Sequence, residues 1–405
     1  MEYIKLADLF EKPISGEWGI ELKDGEDGVN VIRTTNFTNL GRLNLQDVVK
    51  RNIDVKKYLN KQLEYGDIII EKSGGSPNQP VGRVVIFEEN DKNIYFCNNF
   101  TSILRPKKNI VYSRYALYLL KDLYNKKKVL KYQNKTTGII NLKLNDYLNG
   151  TLVEIPNIEQ QIKIVEVLDK AHYLIDMRKQ QLDELELLVK SRFVEMFGDP
   201  VKNVMQWEKI LCKEATLKIG SGATPKGGNS SYKDEGISLI RSMNVYNNNF
   251  VENNLAYIDD EQAEKLKNVE VKRNDVLLNI TGASVARCCI VPPKYIPARV
   301  NQHVSILRCE DTKILPIFLC YQFTNENYQR LLWEIASNSG ATREAITKQQ
   351  IENLEVIIPP IELQNQFADF VTKVDKLKFE MEKSLKELED NFNSLMQKAF
   401  KGELF

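Results

Sequence analysis

Residues 155–168, IPNIEQQIKIVEVL, are echoed by residues 358–371, IPPIELQNQFADFV, and the echo runs on at an offset of 203 without a gap. A chain that carries one long segment twice folds as two copies of one unit, because both copies must bury the same positions. Along the offset, Leu168, Ala171, Ile175, Arg178, Leu182, Leu185, Val189, Arg192 and Met196 fall on Val371, Val374, Lys378, Met381, Leu385, Leu388, Phe392, Leu395 and Ala399. Both series step alternately by three and four, the seam spacing of a coiled coil. Each opens on Ile-Pro, which suits an extended entry and a helix start. Each closes near a glycine, Gly198 or Gly402, suited to a C-cap. Helices of ~39 residues would be ~58 Å long.

The segments between these helices match more loosely. VIRTTNFT (31–38) resembles LIRSMNVY (239–246), YGDIIIEKSGG (65–75) resembles RNDVLLNITGA (273–283), and TSILRP (101–106) resembles VSILRC (304–309). NKTTGIINL (134–142) falls on SNSGATREA (337–345). Short β-branched runs mix with helical stretches such as 113–130 and 316–335, so each globular unit reads as α+β. The expected order is a globular unit (1–154), a helix (155–200), a second globular unit (201–357) and a second helix (358–405). Two equal seams in one chain favour packing against each other about a pseudo-two-fold axis, which makes the helices antiparallel. A coiled coil between separate chains is the alternative.

Composition narrows the function. With 405 residues, 42% apolar and 27% charged, the chain has the make-up of a soluble protein of two or three domains. No stretch approaches the ~18 apolar residues of a membrane span, and MEYIKLADLFEKP lacks the pattern of a secretion signal. Six scattered cysteines without a CxxC pair read as reduced cytosolic thiols. Only two histidines, His172 and His303, are present, which removes most triad and zinc-hydrolase schemes. The net charge is +1, but residues 1–155 carry +5 while residues 156–200 carry −3. Two similar, non-identical readers joined by stiff helices suit a linear target with two unlike, separated half-sites.

The chain resembles the specificity subunits of Type I restriction–modification systems, which carry two target-recognition domains and two spacer helices. The resemblance spans the whole chain and rests on FVEMFGDP (193–200) followed by Trp207, KIGSGATP (218–225), IPPIELQNQF (358–367) and MQKAFKGELF (396–405) in that order. The first unit departs from the pattern, with SGEWG (15–19) where the second has the GATP-type loop. The resemblance implies a non-catalytic, cytoplasmic subunit of a prokaryotic cell that binds double-stranded DNA. It further implies two methyltransferase subunits that use S-adenosylmethionine on adenine N6 and, in a restriction complex, two translocase–nuclease subunits that use ATP and Mg²⁺. The chain itself shows no GxxxxGK[ST] loop, no convincing GxGxxG and no Asn/Asp-Pro-Pro-aromatic tetrapeptide. Other readings are a related methylation-only or Type II-like recognition subunit, an autonomous DNA-modifying enzyme, and a coiled-coil scaffold without DNA function.

Candidate phosphate contacts are Lys126, Lys127, Lys128, Lys131 and Lys135, in a run that starts at Lys121 and interleaves Tyr124 and Tyr132. The same run also fits a solvated helix face. Paired glycine turns come next: Lys72, Ser73 and Gly74 with Arg83 in the first unit, Thr281 and Gly282 with Arg287 in the second. A plain hairpin explains them equally well. A third matched pair is Lys135, Thr136 and Thr137 against Ser339, Gly340 and Arg343, and the glycine-rich stretch adds Thr224 and Lys226. Arg33 with Asn36 and Arg241 with Asn244 have side chains that read guanine and adenine edges, although structural hydrogen bonding accounts for them too. Leu168, Ile175, Leu182, Leu185 and Val189 are expected to pack on Val371, Met381, Leu385, Leu388 and Phe392. His172 is expected beside that seam, and His303, at the place of Phe100, in a packing role.

Overall fold

The computed structural model describes residues 3–76, 79–136, 139–338 and 344–405, with the backbone alone at 135 and 136. Two long helices, Ile158–Phe197 and Ile361–Ala399, occupy the repeated segments. The chain divides into two compact units, Met1–Arg178 with Ser384–Phe405, and Lys179–Lys383. Each unit therefore takes half of each long helix. No helix among the described residues is long and apolar enough to cross a membrane.

The first unit holds a four-stranded antiparallel sheet in which Ile68–Glu71 lies between Val84–Ile86 and Thr101–Leu104, with Ile14–Ser15 at the edge. Beside it, Val29–Ile32 runs parallel to Tyr95–Cys97. The second unit repeats this plan. Val276–Asn279 lies between Cys288–Ile290 and Val304–Cys309, with Thr216–Ser221 at the edge, and Ile237–Ile240 runs parallel to Ala298–Val300. A short pair closes each unit, Tyr3–Lys5 with Leu152–Glu154 and Glu208–Leu211 with Glu355–Ile358. Central strands such as IIIE and VLLN are buried throughout, which is why they read as continuous apolar runs rather than alternating ones.

Both cores are finished by the long helices. In the first unit Ile164, Val165 and Leu168 from the start of one helix share a cluster with Met396 and Ala399 from the end of the other. In the second unit Val189, Phe193 and Phe197 meet Phe367, Val371 and Val374. Start against end in one unit and end against start in the other is antiparallel packing, the arrangement that two equal seams in one chain favour. The buried stripe drifts from the strict heptad series. Phe193 and Phe197 are the buried aromatics, ring centroids 5.5 and 5.7 Å from Phe367, while Arg192 lies over Phe370 with its side chain 40% exposed. A straight helix turns every 3.6 residues, so a seam projected at 3.5 slips round its face. Leu168, Ile175, Val189 and Val371 are buried, whereas Leu182, Leu185, Met381, Leu385, Leu388 and Phe392 are half-buried.

Two of the expected helical stretches are interrupted. The stretch 113–130 stops being α-helical after Asn125, because Lys127 takes a left-handed φ of 58°. The stretch 316–335 breaks into Pro316–Thr324 and Glu326–Ser337 at Asn325, whose side chain accepts from the N–H groups of Asn327 and Tyr328 and so caps the second helix.

Candidate nucleic-acid interface

Each globular unit is held by a frame of buried polar groups that recur at matching places. Arg105 clasps Asp67 through Nε and Nη2 at 2.9 and 2.8 Å, and Arg308 clasps Asp275 at 2.8 and 2.8 Å. The spare guanidinium N–H groups go to the carbonyls of Gln62 and Glu270, both at 3.1 Å. Gln161 and Gln364, fully buried one turn into the long helices, each accept one backbone N–H and donate to two carbonyls. They tie helix to globular unit by saturating their own amides. The first unit adds the Arg114 ion pairs to Glu88 at 2.6 Å and Asp169 at 2.5 Å, and the Arg42–Asp176 pair at 2.7 Å.

Asn36 and Asn244 belong to this frame, as the structural hydrogen-bonding alternative has it. Both are buried, their Oδ1 atoms accept the N–H of Arg33 and Arg241 at 2.8 and 3.0 Å, and their Nδ2 groups are spent on backbone carbonyls. Arg33 reaches Asp47 at 3.4 Å, and Arg241 donates to the Asn254 carbonyl and lies 5.3 Å over the Tyr232 ring. Sequence alone could not separate these from base readers, because Asn and Arg serve both tasks with the same groups.

The glycine of SGEWG does the work of its counterpart in SGATP. Ser15 pairs with Ser102 and Ser221 with Ser305, at equivalent strand positions. A Cβ on Gly16 would lie 2.0 Å from the Asn98 carbonyl oxygen, and one on Gly222 would lie 1.7 Å from that of Val300. Both copies need glycine so that two backbones can touch. The residues that follow differ, Glu17-Trp18 against Ala223-Thr224. Thr224 donates to the side-chain oxygen of Gln302, and Lys226 is exposed.

Among the basic run, Lys127, Lys128 and Lys131 are exposed, and Lys126 pairs with Asp122 at 2.7 Å. Its aromatics are not surface stackers: the Tyr124 hydroxyl donates to the Pro80 carbonyl at 2.9 Å, and Tyr132 packs 5.6 Å from Tyr147. Lys121 is half-buried, and desolvation lowers its pKa to about 8. Lys135 and Thr136 lie in the strand Gln133–Thr136, while Thr137, Ser339, Gly340 and Arg343 fall outside the described residues.

At the glycine turns, Lys72 Nζ sits 2.5 Å from Ser15 Oγ, and its pKa is lowered chiefly by burial. Ser73 donates to Asn141 at 2.6 Å, and Gly74 is exposed with a φ of 108°. In the second unit Thr281 bonds His303 at 2.6 Å, and Gly282 faces open space with a φ of 66°. His303 thus belongs to a polar surface cluster with Gln302, rather than the packing role its match to Phe100 suggested. Arg83 forms a two-pronged ion pair with buried Glu71 at 2.9 and 3.1 Å. Arg287 lies 4.3 Å over the Tyr246 ring. His172 is buried in the seam, 5.5 Å from the Phe392 ring, and burial lowers its pKa. All six cysteines are buried free thiols.

The family described as Type I restriction modification DNA specificity domain matches twice, over residues 1–187 and 215–390. A putative type I restriction enzyme MjaX specificity subunit of Methanocaldococcus jannaschii is 24% identical over 370 residues, covering 87% of this chain and 80% of that one. The EcoKI specificity subunit of Escherichia coli is 22% identical over 409 residues, covering 95% and 83%. In fold, a chain solved in work on assembly and conformational transition of the type I R-M system gives a TM-score of 0.59 at 17% identity, covering 100% and 98%. The type I S subunit from M. genitalium gives 0.53 at 14% identity, covering 98% and 96%.

Proposed function

The chain belongs to the Type I restriction modification DNA specificity domain family, whose domain it carries twice, and on that premise we propose that it reads a bipartite, asymmetric DNA site and places adenine-N6 methyltransferase subunits on it. One observation carries this reading: the same buried frame is built twice, while exposed or half-buried residues at matching places differ. A frame such as Arg105–Asp67 and Arg308–Asp275 holds the fold in both units. The surface changes from Phe100 to His303 and from Trp18 to Thr224, so equal scaffolds present unequal chemistry. Phosphate contacts from Lys127, Lys128, Lys131 and the glycine turns would give affinity, and the residues that differ between the two units would give sequence choice.

The long helices fix the distance between half-sites. Their outward faces also carry matched apolar residues: Leu174 and Leu377, at the 203-residue offset, are each 51% exposed. Two copies of one exposed leucine suit two copies of one partner, the methyltransferase subunit, which flips the target adenine into its own pocket. In this scheme the chain performs no chemistry. S-adenosylmethionine binds the methyltransferase subunits, and ATP and Mg²⁺ belong to restriction subunits where a system has them.

Mapping methylated adenine across the genome of the source cell, with and without this gene, tests the reading. Loss of methylation at one two-part motif is the expected result. Clear binding of labelled S-adenosylmethionine by the purified chain alone, or unchanged methylation, would overturn it.

A further inference from the structure

The two globular units contain one arginine at a matched place and treat it in opposite ways. The N–H of Glu71 donates to the carbonyl of Arg83 at 2.9 Å, and the N–H of Asn279 donates to the carbonyl of Arg287 at 2.8 Å. One residue further on, the N–H of Lys72 donates to the Phe100 carbonyl at 2.9 Å and that of Ile280 to the His303 carbonyl at 3.0 Å. Glu71 and Asn279 are thus the same position, the last residue of a buried central strand, and Arg83 and Arg287 are its cross-strand partners.

In the first unit that position is a carboxylate, buried to 4% exposure. It takes both prongs of the Arg83 guanidinium, which also donates to the Thr34 carbonyl at 3.4 Å. The ion pair holds the Arg83 pKa above its ordinary value, and the side chain has little left to offer a ligand. In the second unit the position is a neutral amide, fully buried, whose Nδ2 donates to the carbonyls of Ser242 and Val245. An amide carries no charge to hold a guanidinium. Arg287 has no carboxylate within ion-pair distance among the described residues, and its guanidinium lies over the ring of Tyr246, itself 40% exposed. Stacking on an aromatic face orients a guanidinium and leaves its edge N–H groups free. The groove in front of it, about 340 Å³, is also lined by Asn247, Asn249 and Lys378. Glu186 and Asp375 share that groove, and burial raises the Asp375 pKa.

We propose that Arg287 is a DNA-phosphate contact of the second unit, left available by Asn279, whereas Glu71 withdraws its twin Arg83 from DNA. The proposal rests on the DNA-reading function above and adds an asymmetry to it. Affinity at the matched place is supplied by one unit only, and a single residue type at the end of the central strand decides which.

The test uses the full chain and a fluorescein-labelled 30-base-pair duplex of random sequence, with binding followed by anisotropy between 50 and 200 mM salt. Each phosphate contact contributes ~0.9 to the slope of log K against log salt. Arg287→Ala should lower the slope by ~0.9, so that its binding falls about 3.5-fold less than wild type over this range. Arg287→Lys should keep the slope, because a lysine still neutralises the phosphate. Glu71→Gln, which removes the charge that holds Arg83, should raise the slope toward one further contact. An unchanged slope in Arg287→Ala, a loss in Arg287→Lys equal to that in Arg287→Ala, or an unchanged slope in Glu71→Gln would each overturn the proposal. Absence of salt-dependent binding by the wild-type chain would instead refute the DNA reading itself.

Discussion

Replacing Gln161 by leucine should destabilise the first compact unit by about 3 kcal/mol, and Gln364→Leu should do the same to the second. Leucine keeps the side chain's bulk, so the change isolates the hydrogen bonds. In the native chain Gln161 Oε1 accepts the Tyr112 N–H at 2.8 Å, and Nε2 donates to the carbonyls of Ile110 and Pro156 at 3.0 and 2.8 Å. Gln364 accepts the Leu315 N–H at 2.9 Å and donates to the carbonyls of Lys313 and Pro359 at 3.1 and 2.9 Å. Each substitution strands three backbone groups. At the lower end of the ~1–3 kcal/mol that an unsatisfied buried group costs, the sum is about 3 kcal/mol. For a unit of this size that corresponds to a melting temperature lower by about 6–12 °C. Scanning calorimetry reads the shift, and hydrogen exchange should show protection lost around residues 108–116 in one variant and 312–318 in the other. Gln366→Leu, at an exposed position of the same helix, should stay within about 0.5 kcal/mol of wild type. A fall below about 2 °C in both buried variants would refute the role given to these amides.

Asp275→Ala should cost about 3 kcal/mol in urea unfolding, because it strands the guanidinium of Arg308 beside a site that is fully buried; a loss under 1 kcal/mol would contradict that. Lys121 titrates at about 8 in the fold, against 10.5 when free. The unfolded chain therefore binds more protons between these values, and stability should rise with pH across that window. Lys121→Met should abolish this rise and stabilise the protein at pH 7 by up to about 3 kcal/mol; an unaltered pH profile would show that the charge is not desolvated. Inserting four residues, ~6 Å of helix, after both Leu182 and Leu385 should lengthen the tolerated spacer by about two base pairs and leave both half-sites unchanged. Methylome mapping reads this, and altered half-site letters would defeat the ruler.

The repeat, the helix seams and the α+β character were legible in the sequence because they depend on local periodicity, which a linear reading captures. The seam was legible only to within a third of a turn: Phe193 and Phe197 replace Arg192 and Met196 at its buried end, a consequence of twist accumulated over the helix. What could not be read was partnership across the fold. Arg83 and Glu71 are 12 positions apart and Arg105 and Asp67 are 38 apart, and only strand register brings them together. The same blindness left Asn36 and Asn244 open to base reading as well as to structural bonding, since a buried turn-forming amide and an exposed one have the same letter. Gln161 and Gln364 stood in the quoted repeat, and the recurrence of glutamine at equal places in both copies was the available signal.

The most direct test of two independent readers in one chain is to replace residues 1–154 with the corresponding unit of another specificity subunit and map methylated adenine in cells. One half of the recognised motif should change and the other should keep its letters. Change in both halves, with the protein folded and methylation active, would contradict the account.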